Sequence, residues 1–142
     1  MKNLRSIVLA LLVAASWHTA AMAAGYKVIV NNANDVTSLA KKDLVQYFLK
    51  KNTKWGNGTP VAAVDQTEKS AARERFTLEV HGKSVSALKS YWQQQIFSGR
   101  DVPPVEKSSD AQVVAFVKQN PGAIGYVAEG ADTTGTRVVT VQ

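Results

Sequence analysis

Residues 120–127 read Asn-Pro-Gly-Ala-Ile-Gly-Tyr-Val, and this stretch predicts a joint between a helix and a buried strand. Pro121 has no backbone N–H and disfavours helical backbone at the residue before it, so a helix ends here. Gly122 allows the chain to turn, and Gly125 allows another part of the molecule to approach the strand closely. The stretch therefore predicts a sheet that is backed by helices.

The rest of the chain alternates between strand and helix patterns. Strands are predicted at Tyr26–Val30, Val61–Val64, Ala123–Val127 and Arg137–Val141, and helices from Ala40 to about residue 50, from about residue 71 to Val80, from Ser84 to Phe97 and from Ser109 to Gln119. Ser38, Ser84 and Ser109 are candidate N-caps of these helices. Residues 100–107 contain two prolines and predict extended chain at the surface. Helices that separate strands favour a largely parallel sheet with both faces covered.

The first residues predict a secretory signal peptide. Lys2 and Arg5 precede an apolar run at residues 7–15, and Ala21-Met22-Ala23 supplies small residues at the cleavage positions. A retained membrane anchor is the alternative, but the run is shorter than the about 20 residues that cross a bilayer, and no later stretch approaches that length. We therefore expect residues 1–23 to be removed and residues 24–142 to form one domain in the periplasm.

Composition argues against several classes of function. The chain has no cysteine, which excludes disulfides, a thiolate nucleophile and a zinc–thiolate site. Residues 24–142 carry 15 basic and 11 acidic residues, a net charge of +4 after Lys2 and Arg5 are subtracted. The basic residues are scattered among the acids, which argues against a nucleic-acid partner. No nucleophile elbow or cluster of metal ligands is evident, so we expect neither an enzyme nor a cofactor or metal site.

His81 is the only histidine after the signal peptide. With Gly82 behind it, His81 is predicted to end a helix, where its positive charge would meet the negative end of the helix dipole. A catalytic role is the alternative. Asp65 and Glu68 are likewise interpreted as surface or capping residues rather than as a paired-carboxylate or metal site.

A ligand site is predicted from the strand pattern. Ligands of parallel sheets bind beyond the carboxyl ends of the strands, and N–H groups at the start of a helix can hold an anion. The loop after Val64 is the main candidate. The loops after Val30, Val64 and Val127 should share one edge of the sheet and expose Asn31, Asn32, Asp65, Gln66, Thr67 and Ser70 together.

Three stretches together resemble the phosphate-binding proteins of ABC transporters. They are residues 47–55 (Tyr-Phe-Leu-Lys-Lys-Asn-Thr-Lys-Trp), residues 61–66 (Val-Ala-Ala-Val-Asp-Gln) and residues 121–127 (Pro-Gly-Ala-Ile-Gly-Tyr-Val), in the family's order. Members of that family are two-lobed type II periplasmic binding proteins, and this chain matches one lobe. The resemblance implies an α/β fold with a mostly parallel sheet flanked by helices.

The family's anion loop, Arg-x-Asp-Gly-Ser-Gly-Thr, is altered in this chain. Ser70 keeps the place of the serine, but the glycine and threonine after it are absent. Asp65 and Glu68 add negative charge, which Lys69 and Arg73 can offset. The strand-end surface and the resemblance together give the candidate ligand-binding set, which is Asn31, Asn32, Asp65, Gln66, Thr67, Ser70 and Arg73.

The sequence leaves two functions open. The first is a solute-binding-like periplasmic protein that binds phosphate or a related oxyanion weakly beside an ABC permease or a sensor protein. The second is a non-transport interaction protein that keeps the fold but has lost anion binding. In either case the strand-end surface is expected to meet a partner protein or a second copy of the chain.

Export can be tested directly. The charged start, short apolar run and Ala21-Met22-Ala23 site predict that the mature chain begins within a residue or two of Ala24. Mass spectrometry of the exported protein gives the new N-terminus. A membrane-bound chain that retains Met1 would contradict the prediction.

Overall fold

The computed structural model describes residues 25–142, so the predicted signal peptide at residues 1–23 lies outside the described part of the chain. Six strands and four α-helices follow one another along it. They are β1 (Tyr26–Asn31), β2 (Ser38–Leu39), α1 (Lys41–Phe48), β3 (Ala62–Gln66), α2 (Ala71–Phe76), α3 (Val85–Phe97), β4 (Val105–Lys107), α4 (Asp110–Gln119), β5 (Ala123–Ala128) and β6 (Thr136–Val141). A single π-helical turn, Thr77–His81, continues α2 without a break. Within residues 25–142 no helix is both long and apolar enough to span a membrane.

The strands form one sheet in the order β2-β6-β1-β5-β3-β4. β1 is antiparallel to both of its neighbours, whereas the other three pairings are parallel. Five strands therefore run in one direction and β1 runs in the other, which confirms a mostly parallel sheet. Ile124 of β5 pairs with Val30 near the end of β1 and with Ala63 near the start of β3. The loops after β1 and β3 consequently leave the sheet at opposite edges, by which we mean opposite ends of the strands.

Helices cover both faces of the sheet. On one face, α1 and α2 bury an aromatic cluster in which the rings of Phe76 and Tyr126 stack with centroids 4.0 Å apart, and Phe48 packs against both. On the other face, α4 buries Val113 and Val117 against the sheet. β1 lies at the centre and is buried on both sides, as expected for a strand between two helical layers.

Serine side chains begin three of the helices. Ser70, Ser84 and Ser109 accept hydrogen bonds from the N–H groups three residues later, which satisfies donors that have no partner within the helix. The predictions for Ser84 and Ser109 are therefore confirmed. Ser38 is not an N-cap, because it lies in β2 and α1 begins after Ala40. Residues 105–107 of the predicted extended segment pair with β3 and form an edge strand.

His81 does not carry the role that its position predicts. Gly82 ends the helix with φ 64°, in the left-handed region, as expected. The His81 ring, however, packs edge-on against Phe76 with centroids 5.9 Å apart. Burial, together with the positive charges of Arg73 and Lys83, lowers the pKa of His81 to about 4. The ring is therefore uncharged at neutral pH and does not act on the helix dipole as a cation.

The joint at residues 120–127 packs as closely as its glycines predict. The Gly122 carbonyl accepts hydrogen bonds from the Trp55 indole N–H and from the Ala62 N–H, both at 2.9 Å. A Cβ atom on Gly125 would lie 2.6 Å from a Val64 methyl carbon and 2.9 Å from a Val113 methyl carbon. The absence of a side chain at Gly125 therefore allows Val64 of β3 and Val113 of α4 to pack closely against β5.

We expect Gly125→Ala to lower the free energy of unfolding by about 1–3 kcal/mol, the usual cost of an extra methyl in a packed core. Gly130→Ala is the matched control, because a Cβ atom there has no neighbour within 4 Å. Urea denaturation of residues 24–142 measures both. Equal stability of Gly125→Ala and the wild type would show that the packing around β5 is looser than described.

Candidate functional site

The strand directions divide the predicted ligand-binding residues into two groups. Asn31 and Asn32 lie where β1 ends, beside the start of β6. The others follow β3 at the opposite edge of the sheet; they are Asp65, Gln66, Thr67, Ser70 and Arg73. The prediction that Asn31 and Asn32 share one edge of the sheet with the loop after Val64 is wrong, because β1 runs opposite to β3.

Asn31 ties β1 to the end of α4. Its amide nitrogen donates to the carbonyls of Val117 and Lys118 at 2.8 and 3.0 Å, and its side-chain oxygen accepts from the N–H of Ala33. Asn31 is buried, and these bonds satisfy carbonyls at the end of a helix. Its role is therefore structural. Asn32 is exposed in the turn that follows.

A buried ion pair lies where β3 meets α2. An Arg73 guanidinium nitrogen is 2.9 Å from an Asp65 carboxylate oxygen, and the two side chains are 5% and 6% exposed. The same nitrogen donates to the Gln66 carbonyl at 2.5 Å. The Tyr126 hydroxyl and the Gln66 N–H both donate to the Asp65 oxygen. Asp65 is therefore not a surface or capping residue, because this network holds it inside the fold.

Burial and charge set the protonation of this network. Burial raises the pKa of the Asp65 carboxyl, while Arg73 and the hydrogen bond from Tyr126 oppose that rise. Burial and the neighbouring carboxylate raise the pKa of the Tyr126 hydroxyl. Tyr126 therefore keeps its proton at neutral pH and donates it in the hydrogen bond to Asp65.

Gln66 organises a second set of contacts on the other side of β3. Its amide nitrogen donates to Asp110 at 2.8 Å and to the Tyr126 carbonyl at 3.0 Å. Its amide oxygen accepts from the Ser70 hydroxyl at 2.6 Å, and that hydroxyl also accepts from the Arg73 N–H at 3.2 Å. Ser70 and Gln66 therefore bind each other and the start of α2.

Carboxylates surround this part of the sheet. Glu106 on β4 lies 3.5 Å from the Arg73 guanidinium, and Glu68 pairs with Lys89 at 2.8 Å. Glu129 is exposed just beyond the end of β5. We call Thr67, Glu68, Glu106 and Glu129 the acidic edge. Glu106, which is exposed beside Arg73, would repel an anion that approached this guanidinium.

Two residues of the site, Asp110 and Tyr126, were not predicted as site residues from the sequence. Asp110 is the first residue of α4, and its carboxylate accepts from Gln66 and from the N–H of Ala128 at 3.2 Å. A signal existed for Tyr126, since a tyrosine in a buried strand needs a hydrogen-bond partner for its hydroxyl. Within residues 25–142 no group of histidines and acids is arranged to hold a metal ion.

Solved structures of phosphate-transport proteins share this fold. An ABC-type phosphate transport receptor from Vibrio cholerae superimposes with a TM-score of 0.66 at 19% identity, over 83% of this chain and 46% of the receptor. A protein from Clostridium perfringens, described as a phosphate ABC transporter substrate-binding protein with bound phosphate, gives 0.65 at 21% identity over 83% and 45%. PstS from Borrelia burgdorferi gives 0.59 at 14% identity over 82% and 47%.

No protein-family model and no curated protein matches the sequence. The likeness to the solved structures thus concerns the fold, and this chain spans less than half the length of each of them. The resemblance that the sequence predicted is confirmed at this level. Residues 25–142 have the fold of one part, slightly less than half, of a phosphate-transport substrate-binding protein.

Proposed function

We propose that this chain is an exported periplasmic protein that keeps the fold of a phosphate-binding lobe, binds phosphate at most weakly, and acts by contact with another protein. The observation that carries the proposal is the buried pair between Asp65 and Arg73. The buried cationic side chain beside the altered anion loop, Arg73, already has an anionic partner from its own chain.

The free energies favour Asp65 over phosphate as the partner of Arg73. Separating a buried ion pair costs about 3–5 kcal/mol, because one charge is left uncompensated. A ligand that binds with a millimolar dissociation constant supplies only about 4 kcal/mol. Phosphate would therefore gain little by displacing Asp65 from Arg73. The hydroxyl of Ser70 is also engaged, by Gln66 and by the N–H of Arg73.

The acidic edge supports a protein partner with basic residues. Exposed carboxylates increase the rate of encounter with a positively charged surface and select against a negatively charged one. The fold of the solved transport proteins suggests the class of partner: a membrane permease or a sensor protein. A second copy of the chain is disfavoured at this edge, since a twofold contact would bring its carboxylates together.

A second candidate function is weak oxyanion binding in a clamp formed with another chain. The exposed Lys69, next to the start of α2, favours it. In that case the partner would supply the opposing hydrogen-bond donors, and binding would depend on its presence. Titration with phosphate separates the two functions only when it is done both with the isolated chain and in the presence of the partner.

Calorimetric titration of residues 24–142 with phosphate and sulfate should give dissociation constants of about 1 mM or weaker. Asp65→Asn frees the positive charge of Arg73, so phosphate should bind this variant at least about tenfold more tightly, which is about 1.4 kcal/mol, and should raise its melting temperature. Glu68→Gln is the control that removes an exposed carboxylate without touching Arg73.

Asp65→Asn is also expected to be less stable than the wild type, because Arg73 loses its partner. The double variant Asp65→Asn/Arg73→Gln should recover stability and show no response to phosphate. Submicromolar phosphate binding by the wild type would contradict the proposal. Phosphate binding by Asp65→Asn that survives the Arg73 substitution would place the anion elsewhere.

Crosslinking in whole cells tests the protein contact. Cysteines placed at Thr67 and Glu129 should capture a permease or sensor protein through the acidic edge. Asn32 at the opposite edge of the sheet and Lys118 at the end of α4 are matched exposed controls. Equal capture through Asn32 or Lys118 would place the working surface elsewhere and refute the assignment of this edge.

A further inference from the structure

The end of α3 exposes apolar side chains that the fold does not cover. Phe97 is 96% exposed, Ile96 52% and Val102 57%. Leu88 and Trp92, in the earlier turns of the same helix, are buried. Single exposed apolar residues are common on protein surfaces. Here three lie close together in the sequence around the turn that ends α3, and one of them is an almost fully exposed aromatic ring.

The reversal is held in place by hydrogen bonds. Gly99 has φ 67°, in the left-handed region that ends helices. Its N–H donates to the Ile96 carbonyl at 3.0 Å, and the N–H of Arg100 donates to the Gln95 carbonyl at 2.9 Å. Phe97 is therefore presented on an ordered turn.

Basic residues lie at the same end of the molecule. Lys50, just after α1, reaches Asp101 at 3.7 Å and so joins the end of α1 to the end of α3. A shallow depression between them is lined by Lys50, Asn52, Thr53 and Asp101. Lys51, Lys54 and Arg100 are exposed and take part in no ion pair within residues 25–142.

We call this surface the basic tip; it consists of Lys50, Lys51, Lys54, Ile96, Phe97, Arg100 and Val102. Asp101 pairs with Lys50, and Lys51, Lys54 and Arg100 are close to these two residues in the sequence. The tip is remote from the acidic edge, because the two lie towards opposite ends of α3. Glu68 pairs with Lys89 in the first half of the helix, and Phe97 is its last residue. The helix between them is roughly 18 Å long.

We propose that the basic tip binds an anionic lipid surface. Lysine and arginine are attracted to anionic headgroups, and apolar side chains beside them insert into the boundary between headgroups and acyl chains. The tip offers both features: the apolar side chains and Arg100 lie at the end of α3 or in the turn after it, and the three lysines follow α1. This inference does not depend on the state of the Asp65–Arg73 pair.

Two other occupants fit the tip less well. A second copy of the chain, related by a twofold axis, would bring the four cations against the same four cations. A folded acidic protein would need a pocket shaped for a ring that is 96% exposed. A lipid surface needs no such pocket, since acyl chains adapt to the side chain that enters them.

Vesicle sedimentation with residues 24–142 tests the proposal. The protein should bind vesicles of equimolar phosphatidylcholine and phosphatidylglycerol, and it should not bind vesicles of phosphatidylcholine alone. Molar salt should release it, because the attraction between the cations and the headgroups is screened. Phe97→Ser and the pair Lys51→Glu/Arg100→Glu should each weaken binding by at least about tenfold.

Matched controls lie at the other end of α3. Leu78 is 55% exposed and Lys83 is exposed, so Leu78→Ser and Lys83→Glu remove the same kinds of side chain away from the tip. These two variants should bind vesicles as the wild type does. All substituted side chains are exposed, and circular dichroism checks that each variant folds.

Several results would overturn the proposal. Absence of binding to the mixed vesicles, equal binding to both kinds of vesicle, or equal losses in the Leu78 and Lys83 variants would each do so. Self-association that Phe97→Ser abolishes, without vesicle binding, would assign the tip to a second copy. Crosslinking of Phe97→Cys to a protein in cells, again without vesicle binding, would assign it to a protein partner.

Discussion

The ion pair between Asp65 and Arg73 joins three parts of the fold. Asp65 lies on β3, Arg73 on α2, and the Tyr126 hydroxyl reaches the same carboxylate from β5. A charge in such a place is stable only while each partner stays, so the pair fixes α2 against the sheet. The arrangement that holds the helix therefore also occupies the guanidinium group of Arg73. Under the proposed function, the ion pair and a bound anion would compete for the same guanidinium group.

The local features of the fold could be predicted from the sequence. Serine caps at Ser84 and Ser109, the turn at Gly122 and the close approach at Gly125 depend on neighbouring residues and on backbone geometry. The direction of β1 could not be predicted in this way. A short strand with an apolar run such as Val28–Val30 has the same pattern whether it is paired parallel or antiparallel. A loop, not a helix, joins β5 to β6, so the sequence does not reveal that β1 lies between them.

The candidate site was predicted less completely, for a related reason. Residue type and spacing found the loop after β3, but they did not show which charges are buried. Charged residues on helices are usually solvated, so Arg73 gave no sign of its burial, and its partner Asp65 appeared to be a surface acid. Asn31 and Asp110 show the same limit, since each polar group is satisfied by segments distant in the chain.

The two outermost strands of the sheet affect whether copies of this protein pair with one another at high concentration. The outermost strands, β2 and β4, have two and three residues, and Pro103-Pro104 removes two backbone donors just before β4. Short edges of this kind offer few free N–H and C=O groups to a strand from another molecule. Continuous sheets across molecules, the first step towards fibrous aggregates, are therefore disfavoured at these two strands.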